Sequence, residues 1–118
     1  MYEVPGMCIS VKSVNEVKGK YQAVKMTAEG AVVATAAADE VLGFIQREAK
    51  AGEVAQIMVD GITMAKASAA IAKGDHVAAA AEGAVAKTTA GKFCGIALEA
   101  ATAAGDIIPV LIRFGTLA

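Results

Sequence analysis

The chain has 118 residues and a formal net charge of −1, and hydrophobic residues make up 56 % of it against 19 % charged. This length indicates one domain, and the composition excludes a disordered chain. The near-neutral charge excludes a global basic field that would attract nucleic acid. Because aromatic residues are only 4 % and Ala and Val bury little area each, we expect a thin core that gains from a partner surface.

The N-terminal segment differs in pattern from the rest. "MYEVPGMCIS" has neither a basic region nor a long apolar run, so we expect no signal peptide. Residues 1–20 are interpreted as either a first strand or an arm that orders on contact with a partner. Residues 21–118 are predicted to form a single β-barrel domain.

The next part of the chain allows two interpretations. "KYQAVKM" at 20–26 alternates loosely, which indicates a strand. Residues 31–51 are Ala-rich and would suit one amphipathic helix. Gly30, Gly43 and Gly52 interrupt that stretch, and "AVVAT" and "VLGFIQ" have the length and β-branched content of strands, so short strands are favoured.

The C-terminal half predicts paired strands with glycine at the turns. The predicted pairs are 53–61 with 62–67 around Asp60-Gly61, 75–89 turning at Glu82-Gly83, and 92–100 with 106–114. Pro109 removes a ladder donor, which predicts an edge strand, a bulge or a bend. Residues 67–74 are predicted to form a short helical turn. Many short strands with glycine turns indicate an all-β barrel or sandwich.

One short pattern occurs three times, in "KAGEVAQI" at 50–57, "AKGDHVAA" at 72–79 and "AAGDIIPV" at 103–110. Each places a glycine and an acid before a predicted strand. None opens a convincing long helix whose N-terminus would hold phosphate. The pattern is therefore interpreted as backbone corners, with glycine supplying a positive φ and the acid bonding nearby backbone.

No residue pattern indicates catalysis, a metal or a cofactor. His76 directly follows Asp75, so the two would point to opposite faces of a strand, and a surface or rim histidine is favoured over a triad member. Cys8 and Cys94 have no zinc-ligand spacing. Two free thiols are favoured over a disulfide, which stays open. No catalytic, cofactor-binding or metal-binding residue is assigned.

Two further functions stay open as alternatives. "AVKM" at 23–26 is similar to the Met-Lys-Met turn of biotin or lipoate carrier domains, with Lys25 as the attachment point, although Val24 replaces the first Met. A nucleic-acid-binding module is the other alternative. The modestly basic N-terminal quarter is diluted by acids, and a solvated face is favoured; its lysines are Lys12, Lys18, Lys20 and Lys25. We expect no nucleic-acid partner and no membrane span.

From about residue 24 to 115 the chain resembles the phage capsid cement (head decoration) proteins. The family was long known as a domain of unknown function and sometimes labelled recombinase. The resemblance rests on the order of "VLGFIQREAKAGEVAQIMVDGITMAKA", "IAKGDHV" and "GKFCGIALEAATAAGDIIPVLI". No nucleotide-binding motif supports the recombinase label.

The resemblance implies a small β-barrel of the β-clip kind and a structural protein, not an enzyme. It implies binding to the outside of a phage capsid, often as a homotrimer, where the protein braces neighbouring major capsid protein subunits. The expected location is therefore the virion exterior, with the host cytoplasm during assembly.

Overall fold

The computed structural model describes residues 4–5, 7–14, 21–33 and 41–117, with the side chains of residues 4, 5 and 33 excepted. Two packed antiparallel sheets form the molecule, which confirms the predicted all-β class. The strands are β1 (Val4–Pro5), β2 (Cys8–Lys12), β3 (Ala23–Thr27), β4 (Gly30–Val33), β5 (Val41–Ile45), β6 (Val54–Met58), β7 (Gly61–Lys66), β8 (His76–Ala79), β9 (Val85–Lys87), β10 (Gly91–Ala97) and β11 (Ile107–Leu117). A short 3₁₀ turn spans Ala81–Gly83.

The two sheets have related strand orders. The five-stranded sheet runs β2-β6-β5-β3-β4, and the six-stranded sheet runs β7-β11-β10-β8-β9 with β1 added outside β7. Isolated parallel bridges bring the two ends of each five-strand series together, Ser13 to Ala31 in one sheet and Ala67 to Val85 in the other. Each sheet therefore curls back on itself, as in a small barrel.

The strands follow the two-residue period of a sheet with one buried face. In β6, Val54 and Gln56 are exposed whereas Ala55 and Ile57 are buried. Within the stretch that would also suit a helix, residues 31–33 and 41–45 lie in β4 and β5, so the preference for short strands is confirmed there. Residues 34–40 of that stretch lie outside the described residues.

The core is made mainly of small aliphatic side chains, as the composition predicts. One cluster lies inside the five-stranded sheet; its buried members are Val24, Ala31, Ile45, Ala49, Ala55 and Ile57. A larger cluster joins both sheets: Phe44 of β5 and Met58 of β6 pack with β7, β8, β10 and β11. The shared cluster holds the two sheets as one packed body.

The predicted hairpin at Asp60-Gly61 is wrong, although both of its strands exist. β6 is already paired on both sides, by β2 and β5, so no edge of β6 is left for β7. The chain instead crosses to the other sheet. Gly61 has a φ of 106°, and its N–H donates to Asp60 Oδ1 at 2.9 Å, which shapes the crossing.

The edge-strand prediction for Pro109 is also wrong. β11 lies between β7 and β10 in the interior of its sheet, and the irregular step in the β10–β11 ladder lies between Phe93 and Gly95. The Pro109 carbonyl accepts the Leu98 N–H at 3.0 Å, one residue beyond the end of β10. N–H and C=O of one strand residue point the same way. The N–H that proline lacks would therefore point beyond the end of β10, where no further ladder hydrogen bond is needed.

Of the remaining local predictions, three are confirmed and one is wrong. The strand at 20–26 is confirmed by β3, and the last two predicted hairpins are confirmed by the β8–β9 and β10–β11 pairs. Glu82 and Gly83 take φ values of 58° and 75° in the first of these turns. The predicted helical turn at 67–74 is wrong, because Ala67 and Ile71 form β-bridges, to Val85 of β9 and to Ala101.

Candidate functional site

The three glycine-acid pairs form three copies of one turn. Their glycines take positive φ: Gly52 84°, Gly74 90° and Gly105 94°. In each turn the acid's carboxylate accepts the N–H of the residue three positions earlier. These bonds are Lys50 N to Glu53 Oε1 at 2.7 Å, Ala72 N to Asp75 Oδ2 at 2.9 Å and Ala103 N to Asp106 Oδ2 at 3.3 Å. The predicted corner role of the pairs is confirmed.

Each corner also docks on a buried small residue at the end of a neighbouring strand. The glycine N–H donates to that residue's carbonyl, and the acid's carbonyl accepts that residue's N–H. The docked residues are Ser13 for Gly52-Glu53, Ala97 for Gly74-Asp75 and Ala67 for Gly105-Asp106, all at 2.8 to 2.9 Å. The polar groups of the glycine-acid pairs thus form hydrogen bonds to backbone groups of the turn and of the neighbouring strand.

Asp106 has the richest set of donors among the three acids. Its Oδ2 accepts from Thr102 N at 2.9 Å, Thr102 Oγ1 at 2.9 Å and Ala103 N at 3.3 Å. The Thr102 backbone N–H contributes most, then the Thr102 hydroxyl, to lowering the pKa of Asp106 below its ordinary value. A carboxylate held this way is a structural acceptor, not a proton donor.

His76 lies half-buried at the start of β8, in agreement with a rim position. Its ring meets Phe93 edge-on, with centroids 4.5 Å apart. The adjacent Asp75 is engaged by Ala72 and by Lys87 Nζ at 3.9 Å. Within the described ranges, no group of three His, Cys, Asp or Glu side chains could hold a metal ion.

Cys8 and Cys94 are free thiols, as favoured from the sequence. Cys94 is buried on β10, and its Sγ lies 3.5 Å from the Val77 carbonyl. Burial raises the pKa of Cys94 to about 12. Cys94 is therefore protonated and unreactive at neutral pH.

Lys25 does not occupy the hairpin tip that a carrier domain requires. It lies within β3, half-buried and paired to Val32 of β4 and Val41 of β5. The tip of the β3–β4 hairpin is at residues 28–29. The position of Lys25 therefore argues against the carrier alternative. Of the other N-terminal lysines, Lys12 is exposed at the end of β2, and Lys18 and Lys20 lie outside the described residues.

Several large apolar side chains are exposed, which the sequence did not single out. They are Met7 (62 % exposed), Met26 (54 %), Val54 (69 %), Ile107 (43 %) and Phe114 (47 %). Met26 and Phe114 also line an open groove of about 610 Å³ between the two sheets, together with Leu42 and Phe93. Contiguous exposed apolar surface of this kind marks sites of interaction with a partner or ligand. In the part of the chain that the structure covers, no helix is long and apolar enough to cross a membrane.

Comparison with known proteins gives a fold relative and a family. Over 91 % of this chain and 95 % of the other, the structure matches the N base of head fiber gp8.5 of bacteriophage phi29, with a TM-score of 0.72 and 16 % sequence identity. No curated protein matches the sequence. A family model for phage cement proteins matches residues 14–113. The chain therefore belongs to the phage cement protein family, whose role is structural and whose place is a phage capsid.

Proposed function

We propose that this protein binds the outer surface of a phage capsid and stabilises it by bridging neighbouring major capsid protein subunits. The observation that carries the proposal is the match of residues 14–113 to the phage cement protein family. The fold shared with a head fiber base of phage phi29 supports it, since that protein also belongs to a phage head.

The physical character of the surface agrees with a binding role. The acids of the repeated corners hold backbone, and His76 packs against Phe93. The exposed apolar side chains instead offer contact area. Burying such side chains against a partner stabilises the bound state by roughly 25 cal/mol per Å² of apolar surface. A thin core of Ala and Val makes that gain important to the whole molecule.

The proposal includes a barrel of the β-clip kind and assembly of three copies into a homotrimer. The protein would be in the host cytoplasm during assembly and on the virion exterior afterwards. Sister subunits would cover apolar surface that the single chain leaves exposed. Sedimentation equilibrium of the purified protein is expected to give a mass three times that of one chain. A mass equal to one chain over the whole accessible concentration range would remove the trimer from the proposal.

The function is tested by decoration of phage shells that lack this protein. Purified protein is mixed with expanded and with unexpanded shells, and both are pelleted and imaged. We expect saturable binding to the expanded shells, with extra density bridging capsid subunits on the outside. If the protein pellets with neither form, the capsid-binding proposal is wrong.

A further inference from the structure

The chain contains the same five-stranded unit twice, β2–β6 and β7–β11. Both units have the same strand order and the same closing bridge. When equivalent strands are matched, residues that pair in the first unit correspond to residues that pair in the second. The matched pairs are Lys12–Val54 with Lys66–Ile107, Val24–Gly43 with Val77–Gly95, Met26–Ala31 with Ala79–Val85, and Phe44–Met58 with Ile96–Leu111.

The corner hydrogen bonds repeat in the same way and reveal a fourth corner. Gly74 N donates to Ala97 O at 2.8 Å; at the equivalent place in the first unit, Tyr21 N donates to Ile45 O at 2.7 Å. Tyr21 also has a positive φ, 63°, where the second unit has glycine. Each unit therefore has two corners, and Tyr21-Gln22 is one without the glycine-acid sequence.

The two units also present one exposed surface feature at equivalent positions. In the first unit the exposed Lys12 lies directly opposite Val54; in the second the exposed Lys66 lies directly opposite Ile107. Directly opposed residues project from the same face of a sheet. Val54 and Ile107 are 69 % and 43 % exposed. We name these pairs the first patch (Lys12, Val54) and the second patch (Lys66, Ile107).

Two of the other exposed apolar side chains, Met26 and Met7, have no exposed apolar equivalent, which sets the two patches apart from them. Met26 is 54 % exposed in the first unit, whereas its equivalent Ala79 is buried. Met7 lies before β2, and its equivalent position in the second unit is Gly61. Among the described residues, an exposed lysine beside an exposed β-branched aliphatic side chain thus occurs at equivalent positions in both units.

We propose that the two patches bind equivalent sites on two neighbouring copies of the same capsid protein. Two similar patches on one packed body suit a partner that presents the same binding site more than once. A phage shell does so, because it is built from many copies of one protein. Each partner site would offer an apolar depression for the aliphatic side chain beside a carboxylate for the lysine. This inference rests on the proposed capsid-binding function and names the contacts that would do the bridging.

The test compares variants that remove one patch or both. The first-patch variant is Lys12→Glu with Val54→Thr, and the second-patch variant is Lys66→Glu with Ile107→Thr. Threonine keeps the β-branching that suits a strand. Binding to two sites at once multiplies affinity through effective concentration. We therefore expect each variant to raise the dissociation constant for expanded shells about tenfold or more, and the combined variant to raise it further than either.

A matched control carries the same charge change elsewhere: Lys73→Glu with Thr89→Ser, both exposed positions in turns. We expect this control to bind like the unaltered protein. Circular dichroism and thermal unfolding verify that every variant is folded. If the unaltered protein binds shells and either patch variant binds equally well, the two-patch inference is wrong while capsid binding stands. If the unaltered protein binds no shell, both proposals fall.

Imaging gives a second readout that does not depend on substitution. In a reconstruction of decorated shells, Val54 and Ile107 should face the same capsid residues on two adjacent subunits. Contact through only one patch, or a patch buried between cement protein copies, would contradict the inference.

Discussion

At the scale of single residues, the corner positions require glycine because of their positive φ, not because a side chain would clash with a neighbour. Gly105 has a φ of 94°, and a Cβ built on it meets nothing within 4 Å. The same holds at Gly52 and Gly74. Because the requirement is local, the glycine-acid pattern could be recognised in the sequence. The Tyr21-Gln22 corner could not be recognised, because it contains neither the glycine nor the acid of the pattern.

Gly105→Val is expected to lower the free energy of unfolding by about 1–3 kcal/mol, because a β-branched residue is strained at this φ. Gly105→Asn should cost less, since asparagine tolerates a positive φ. Urea unfolding of the three proteins measures both effects. Equal stability of the valine variant and the unaltered protein would contradict the corner assignment.

Asp106→Asn is expected to destabilise the fold mildly, in a pH-dependent manner. The pKa of Asp106 is lowered in the folded chain, so its charge contributes stability fully above the ordinary aspartate range. That contribution is lost as the pH falls through the lowered pKa. The gap in urea midpoint between the two proteins should therefore be present at neutral pH and shrink in acid. A gap that widens in acid would show that the carboxylate is not the stabilising form.

Cys8 is expected to react with a thiol reagent in the folded protein well before Cys94. Cys8 is only partly buried, whereas burial raises the pKa of Cys94 to about 12. Mass spectrometry should show one label under native conditions and two in denaturant. Rapid double labelling of the native protein would mean that Cys94 is more accessible than its packing indicates.

At the scale of strands and sheets, local pattern predicts the strands better than their partners. The sequence places most strands of the C-terminal half, and the β8–β9 and β10–β11 pairs, because their turns are short. It fails at Asp60-Gly61 because the partners of β6 come from distant β2 and β5. It fails at Pro109 for the same reason, since interior placement of β11 depends on β7 pairing.

Two glycines are required where strands approach closely. A Cβ on Gly95 would overlap Val110 Cγ1 and lie 2.9 Å from the Leu111 carbonyl, and Gly43 is similarly crowded by β6. Gly95→Ala is therefore expected to lower the free energy of unfolding by about 1–3 kcal/mol through overpacking. Gly115→Ala is the matched control, because the three atoms nearest to its Cβ all belong to the far end of the Phe93 side chain, which can shift more easily than backbone. Urea midpoints compare the two, and a larger loss for Gly115→Ala would contradict this explanation.

At the scale of the whole molecule, the two repeated five-stranded units explain why one glycine-acid pattern recurs along the chain. The three glycine-acid pairs belong to four corners in two equivalent units. The two proposed patches could not be predicted from the sequence, because an apolar residue at the start of a strand is as typical of the buried core as of an exposed face. Only the register shows that Val54 and Ile107 both point outward opposite a lysine.

The most direct test of the central claim is the temperature at which genome-filled shells rupture, measured by dye access to the DNA. Shells lacking the protein are compared with the same shells saturated with it, and with shells exposed to the combined patch variant. We predict that bound protein raises the rupture temperature and that the combined variant does not. Saturated binding with an unchanged rupture temperature would contradict a stabilising role.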